Sequence, residues 1–163
     1  MKQSRIQQCY GATMIEVLIS LFVLAIGLLG VLGMQAEGTQ ANQRGLFSTQ
    51  AAFLAQNMAD RIRTNPTGDY NNTDTEDGYA VGTDCAAANC GIAALRDFDR
   101  AEWETDLEAQ LPDARGVVNF ADPMYTITVI WSERSSRAEG ISNDCGGLDI
   151  EDGLACYQLE MRP

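Results

Sequence analysis

Residues 10–34 read YGATMIEVLISLFVLAIGLLGVLGM, and Glu16 is the only charge among them. From Val17 to Met34 there is no charge at all, and Ser20 is the only polar side chain. A helix of about 20 apolar residues crosses a hydrocarbon core of about 30 Å, so this run is competent to span a membrane. A carboxylate at the centre of such a span costs about 3 kcal/mol. Glu16 therefore either sits at headgroup depth, with only four residues separating it from Gly11, or meets a partner that justifies it.

The residues flanking the run set its orientation. Lys2 and Arg5 lie on its N-terminal side, so the excess of basic residues on the cytoplasmic side places residues 1–11 in the cytoplasm and the chain beyond Met34 outside it. An ordinary secretory signal peptide has the same basic start and apolar middle, but it requires a small-x-small junction after the run. Residues 31–36, VLGMQA, offer only Val31-x-Gly33.

The 163 residues, 45% hydrophobic and 21% charged, suffice for one modest domain plus an anchor. Without residues 1–11, nine arginines stand against 23 acids, a net charge of −14, and such a domain should avoid nucleic acid and anionic lipid heads. Four cysteines remain beyond Cys9, at 85, 90, 145 and 156, and disulfides suit a compartment outside the cytoplasm. Their spacing suggests Cys85 with Cys90 and Cys145 with Cys156, although four cysteines allow three pairings.

Beyond Gln35 the helical pattern continues, with Leu46, Phe47, Ala51, Leu54, Met58 and Ile62 recurring at spacings of three and four as a stripe to lay on a sheet. It stops at Thr64-Asn65-Pro66-Thr67-Gly68. Residues 67–91 read as an exposed polar loop whose acids, Asp69, Asp74, Glu76 and Asp77, raise the question of calcium, though no EF-hand order is present. A second helix is expected from Ile92 to Leu111, with Leu95, Phe98, Trp103, Leu107 and Leu111 near one face and Pro112 as its stop. Strands are expected at Gly116–Phe120, Tyr125–Trp131 and Leu154–Met161 from their period-two alternation. A long helix on a small antiparallel sheet is an α+β fold.

Gly11-Ala12-Thr13-Met14-Ile15-Glu16-Val17-Leu18 resembles the processing site of type IV prepilins. The resemblance implies cleavage between Gly11 and Ala12 by a prepilin peptidase, methylation of the new amino group, and pairing of Glu16 with the N-terminal ammonium of a neighbouring subunit. Two positions depart from the pattern: Ala12 stands where phenylalanine is usual, and Cys9-Tyr10 precede the glycine where a basic residue is common. The segment from Gly30 to Pro66, with its Leu28-Leu29-Gly30 exit from the apolar run and its Asp60-Arg61-Ile62-Arg63-Thr64-Asn65-Pro66 end, is similar to the PilV-type minor pilins. So is the later order Cys85-x4-Cys90, Asp99, Trp103, Leu107, Leu111-Pro112. Arg61 and Arg63 are expected to cap the helix through its dipole.

The inventory for catalysis is thin. The chain has no histidine, and its only lysine, Lys2, lies in the leader that the resemblance implies. That removes Ser-His-Asp and Cys-His arrangements and most zinc sites, and the expectation is no enzyme, no catalytic residue, no metal and no cofactor.

The reading is thus a type IV pilin-like α+β chain: leader 1–11, spanning and filament-core helix 12–34, amphipathic continuation 35–65, and a periplasmic domain 66–163. By resemblance it is a minor pilin, in the bacterial inner membrane and then at or near the pilus tip. The partners implied are other minor pilins, the major pilin, the prepilin peptidase, the inner-membrane assembly platform, membrane lipid and a tip adhesin. The alternatives are a minor pseudopilin of a type II secretion system and an uncleaved, membrane-anchored periplasmic module that binds calcium or another ligand.

Overall fold

Helix α1 runs without interruption from Met14 to Thr64, in a computed structural model that describes residues 13–80, 82–133, 144–145, 148–149 and 153–163. It ends where the pattern predicts, because Pro66 excludes α geometry from its neighbour and Asn65 N–H closes the last turn on Arg61 O at 3.1 Å. The chain divides into two compact units, Met1–Ala41 and Asn42–Pro163. In the first, all described residues are exposed, including every large apolar side chain from Met14 to Met34.

The second unit is built on a four-stranded antiparallel sheet of order β1-β2-β3-β6. Its members are β1 (Thr73–Asp74), β2 (Arg115–Ala121), β3 (Met124–Ser132) and β6 (Leu154–Met161). β2 and β3 form a hairpin that pairs Arg115 with Ile130 at one end and Ala121 with Met124 at the other, turning at Asp122–Pro123, whose peptide bond is cis. β6 pairs with β3 from Tyr125 opposite Met161 to Ser132 opposite Leu154. A separate two-stranded ladder joins β4 (Asp144–Cys145) to β5 (Leu148–Asp149).

Alternation along these strands sorts the sheet into two faces. Val118, Ile127, Val129, Trp131, Ala155 and Met161 join the core together with Ala51, Leu54, Ala55, Met58, Ala59 and Ile62 of α1. Full burial of a side chain the size of Met58 or Ile127 stabilises by about 1.5–3 kcal/mol, and the three alanines let the helix come close. The period-two reading of both long strands holds. Leu46 departs from its expected place: it is 55% exposed, because it lies about 160° around α1 from Ile62, away from the core stripe.

Helix α2 (Ile92–Gln110) adds Trp103 and Leu107 to the same core, with Leu111 closing its C-terminus through an N–H to Leu107 O at 3.0 Å. Trp103 is fully buried and bridges three elements. Its Nε1 donates to Leu54 O of α1 at 3.0 Å, and its ring lies against Gly116 of β2, where any Cβ would collide with it.

The stretch 67–91 is more ordered than its polarity suggests. It contains β1 and a 3-10 turn at Thr75–Asp77, and Tyr70, Thr73 and Thr75 are buried. Asn72, at φ 53°, takes the left-handed turn that leads into β1, a conformation asparagine adopts readily.

Candidate functional site

Glu16 lies in the first turn of α1, where the unpaired N–H groups and the helix dipole favour a negative charge. Its own N–H donates to Thr13 O at 2.9 Å, and one turn on, the Ser20 hydroxyl donates to Glu16 O at 2.7 Å. Ser20 thus satisfies its proton within the helix, which leaves the Glu16 carboxylate as the one charged group on a face shared with Val17, Leu21 and Leu24. Met14, Val17 and Leu18 beside it are 86%, 50% and 64% exposed. An apolar surface with a single anion in it is suited to burial against an apolar partner that carries one cation. Gly11 and Ala12, the expected processing junction, lie outside the described residues.

At the other end of α1, Arg61 corrects the dipole-cap expectation. Its guanidinium turns to α2: NH1 donates to Glu102 Oε2 at 2.6 Å and to Asp99 Oδ1 at 3.2 Å, and NH2 lies 3.7 Å from Asp106 Oδ2. Nε donates to Asn57 Oδ1 at 2.6 Å. Tyr70 OH donates to the second oxygen of Asp99, and Asn65 Nδ2 donates to Tyr70 OH at 3.2 Å and to Ile92 O at 3.0 Å. Burial lowers the affinity of Arg61 for its proton, but the hydrogen bonds and charges of Glu102 and Asp99 outweigh this and leave it above its ordinary range. Burial first, and then the bond to Asp99, push the Tyr70 phenol well above its ordinary range. Arg63 pairs with Asp60 on the surface, at 2.7 Å.

The acids of the loop are engaged too. Arg115 binds Asp74 through Nε to Oδ1 at 2.9 Å and NH2 to Oδ2 at 2.6 Å, while its NH1 lies 2.7 Å from Glu76. The Arg115 guanidinium holds the Asp74 carboxyl below the usual carboxylate range. Arg100 ties the loop to α2, donating to Thr73 Oγ1 at 2.8 Å and Asp69 O at 2.9 Å. Asp69 accepts from Asn71 N at 3.1 Å. Among the described residues no group of three or more His, Cys, Asp or Glu is placed to hold a metal ion. The turn into β1 is held as well, since Asn71 Oδ1 accepts from Phe120 N and Thr73 Oγ1 donates to Tyr70 O.

The structure carries disulfides between Cys85 and Cys90, with Cα atoms 5.5 Å apart, and between Cys145 and Cys156, 6.2 Å apart. Cys156 pairs in register with Ile130, so its side chain lies on the face of the sheet away from the α1 core and draws β4 to that face. The first disulfide closes the loop that leads into α2.

Two family models match the chain. A prokaryotic N-terminal methylation motif covers residues 7–32, and a family described as Type IV pilin Tt1218 covers residues 33–101. Together they support a type IV pilin. The pilin match spans the residues that fasten α1 to α2, Arg61, Asn65, Tyr70 and Asp99, together with the Cys85–Cys90 loop. Type IV pilins are a family of structural proteins, so the matches imply pilus subunits and a processing peptidase as partners, and the exposed apolar helix of this chain suits membrane anchoring. No curated protein and no solved structure matches the chain.

The residues that organise the domain were only partly visible in sequence. Asp60-Arg61-Ile62-Arg63-Thr64-Asn65-Pro66 stood out as a pattern, but Tyr70, Arg100 and Arg115 did not. Their partners are remote, Arg115 pairing with a residue 41 positions away, and no local periodicity marks them.

Proposed function

We propose that this chain is a minor pilin of a type IV pilus, of the PilV type, that acts by packing with other subunits. The observation that carries the proposal is Glu16: one carboxylate in the first turn of an exposed, otherwise uncharged helix, five residues beyond Gly11. In this reading the prepilin peptidase removes residues 1–11, and Ala12 becomes a methylated N-terminus. The helix 12–34 stays in the inner membrane with residues 66–163 in the periplasm until the assembly platform extracts it. Within the filament a neighbouring subunit's ammonium pairs with Glu16, which neutralises two charges that would each be costly alone in a low-dielectric bundle. The domain then presents a surface to other minor pilins, the major pilin and a tip adhesin.

The test is the mass and sequence of the N-terminal peptide of the protein isolated from the membranes of its host, followed by its recovery in sheared pili. A methylated Ala12 and presence in pili are expected. A start at Met1, or one beyond Val31, overturns the proposal. A processed protein that is absent from pili but required for protein secretion assigns it to a secretion pseudopilus instead.

A further inference from the structure

The contact of α1 with the rest of the second unit is uneven along the helix. Ala51, Leu54, Ala55, Met58, Ala59 and Ile62 are buried, whereas no residue from Asn42 to Gln50 is, and in that segment Arg44, Phe47 and Gln50 are only half-buried. Arg44 is the only charge between Gly38 and Ala59, and its Nε lies 3.1 Å from Oε1 of Glu133, a carboxylate 8% exposed just past the end of β3. Two buried polar atoms flank this contact: Gln50 Oε1 at the end of the segment, and Trp131 Nε1 two residues before Glu133. Neither has a hydrogen-bond partner among the described residues. Burying such groups unpaired costs free energy that contact with water restores. The helix itself is weak here as well. A Cβ on Gly45 would meet no described atom within 4 Å, so packing within the chain does not demand a glycine, and glycine disfavours helix. Thr49 Oγ1 donates to Gly45 O at 2.7 Å, a side-chain bond of the kind that loosens a helix.

We infer that residues 42–50 form a detachable end of the α1 contact, a latch closed by Arg44 and Glu133, which opens to water while Ala51–Ile62 stays docked. Segments with few buried apolar contacts open at the least cost, and here the apolar loss is confined to half-buried Phe47. Opening hydrates the Gln50 carbonyl and the Trp131 N–H, which the closed state leaves unpaired. What holds the segment shut is the ion pair, because a carboxylate as buried as Glu133 is costly without its cation. The domain thus has two states that share one core. In the closed state Trp131 is covered, and in the open state Phe47 and the edge of the Trp131 indole face water. The inference concerns residues 42–163 alone, so it stands or falls independently of cleavage at Gly11 and of entry into a pilus.

The test is amide hydrogen exchange, read by mass spectrometry, on the full chain in detergent. In the parent, the amides of residues 46–50 should be at least tenfold less protected than those of residues 54–62. Arg44→Gln and Glu133→Gln should each speed exchange over 46–50 at least fivefold more, while residues 54–62 and α2 change by less than twofold. Gly45→Ala should slow exchange over the same residues at least threefold, since the methyl group has room and strengthens the helix. Equal protection of 46–50 and 54–62 in the parent overturns the latch, as do unchanged rates at 46–50 in both charge variants. A loss of protection that spreads equally over residues 46–62 also overturns it, because the ion pair then supports the whole domain and closes no separate segment.

Discussion

The ring of Trp103 fills the space that a Cβ on Gly116 would need, so helix α2 and strand β2 approach more closely than any other residue at 116 permits. Gly116→Ala should therefore destabilise the domain by about 1–3 kcal/mol, the usual cost of overpacking a filled core. Thermal unfolding of the full chain in detergent reads this directly, and an unchanged midpoint would show that β2 can retreat. Trp103→Phe should cost about 1 kcal/mol or more, through the lost hydrogen bond to Leu54 O and the smaller ring.

Tyr70 gives the domain an alkaline limit. Its phenol is raised above its ordinary value of about 10, so the folded state favours the protonated form. The resulting stability is fully present below about pH 10 and is lost as the pH climbs toward the raised value. Urea midpoints of the parent chain should fall as the pH rises above about 10, and Tyr70→Phe should flatten that fall while costing about 1–2 kcal/mol at neutral pH. Parallel curves for the two proteins would sink the assignment.

Asp74 works in the opposite sense. Held low by Arg115, it contributes stability above its unfolded value of about 4, and that contribution disappears as the pH falls through its lowered folded value. Asp74→Asn should cost about 1 kcal/mol at pH 7, a modest figure because both partners are part-exposed. Acid titrations followed by tryptophan fluorescence should converge for parent and variant once the pH has fallen well below the usual carboxylate range, and curves that stay separated there would place the effect elsewhere.

The two disulfides should differ in their response to reductant. Cys145 is fully buried, whereas Cys85 and Cys90 both keep some exposure. Alkylation after limited reduction should label residues 85 and 90 first, and labelling of 145 and 156 should coincide with loss of tertiary signal. On the chain-entropy model the bridges contribute about 2 and about 3 kcal/mol, the longer loop more. Early labelling of 145 would contradict its burial.

Glu16→Ala tests the proposed assembly role. Membrane insertion and cleavage should persist, since removing a charge only eases insertion, while the amount of protein in sheared pili should fall at least tenfold. Normal incorporation would remove the ion-pair argument.

Much of this architecture was legible in the residues themselves. Pro66 announced the end of α1, and Tyr125, Ile127, Val129 and Trp131 announced a strand with one buried face. What escaped was settled by angle or by distance along the chain. Leu46 fits a spacing of three and four as well as Ile62 does, yet the two lie on different sides of the helix, and only the sheet's position decides which side is core. Arg61 sits in the last turn of a helix, where a local reading gives a dipole cap, but its carboxylates come from α2, 38 to 45 residues later. β1 is two residues long and lies in a polar stretch, so no alternation could reveal it. At Glu16 the signal was plain in sequence because it is a local contradiction, a charge in an apolar run.

The fastening of α1 to its domain also has a mechanical side. Trp103 grips the helix at Leu54, and Asp99 and Glu102 grip it almost two turns later at Arg61. A tensile force directed along the helix axis loads these attachments in shear and at the same time, so they share the load. A force perpendicular to the axis meets them one after the other. The domain is thus built to hold its helix most firmly against pulling along the helix axis.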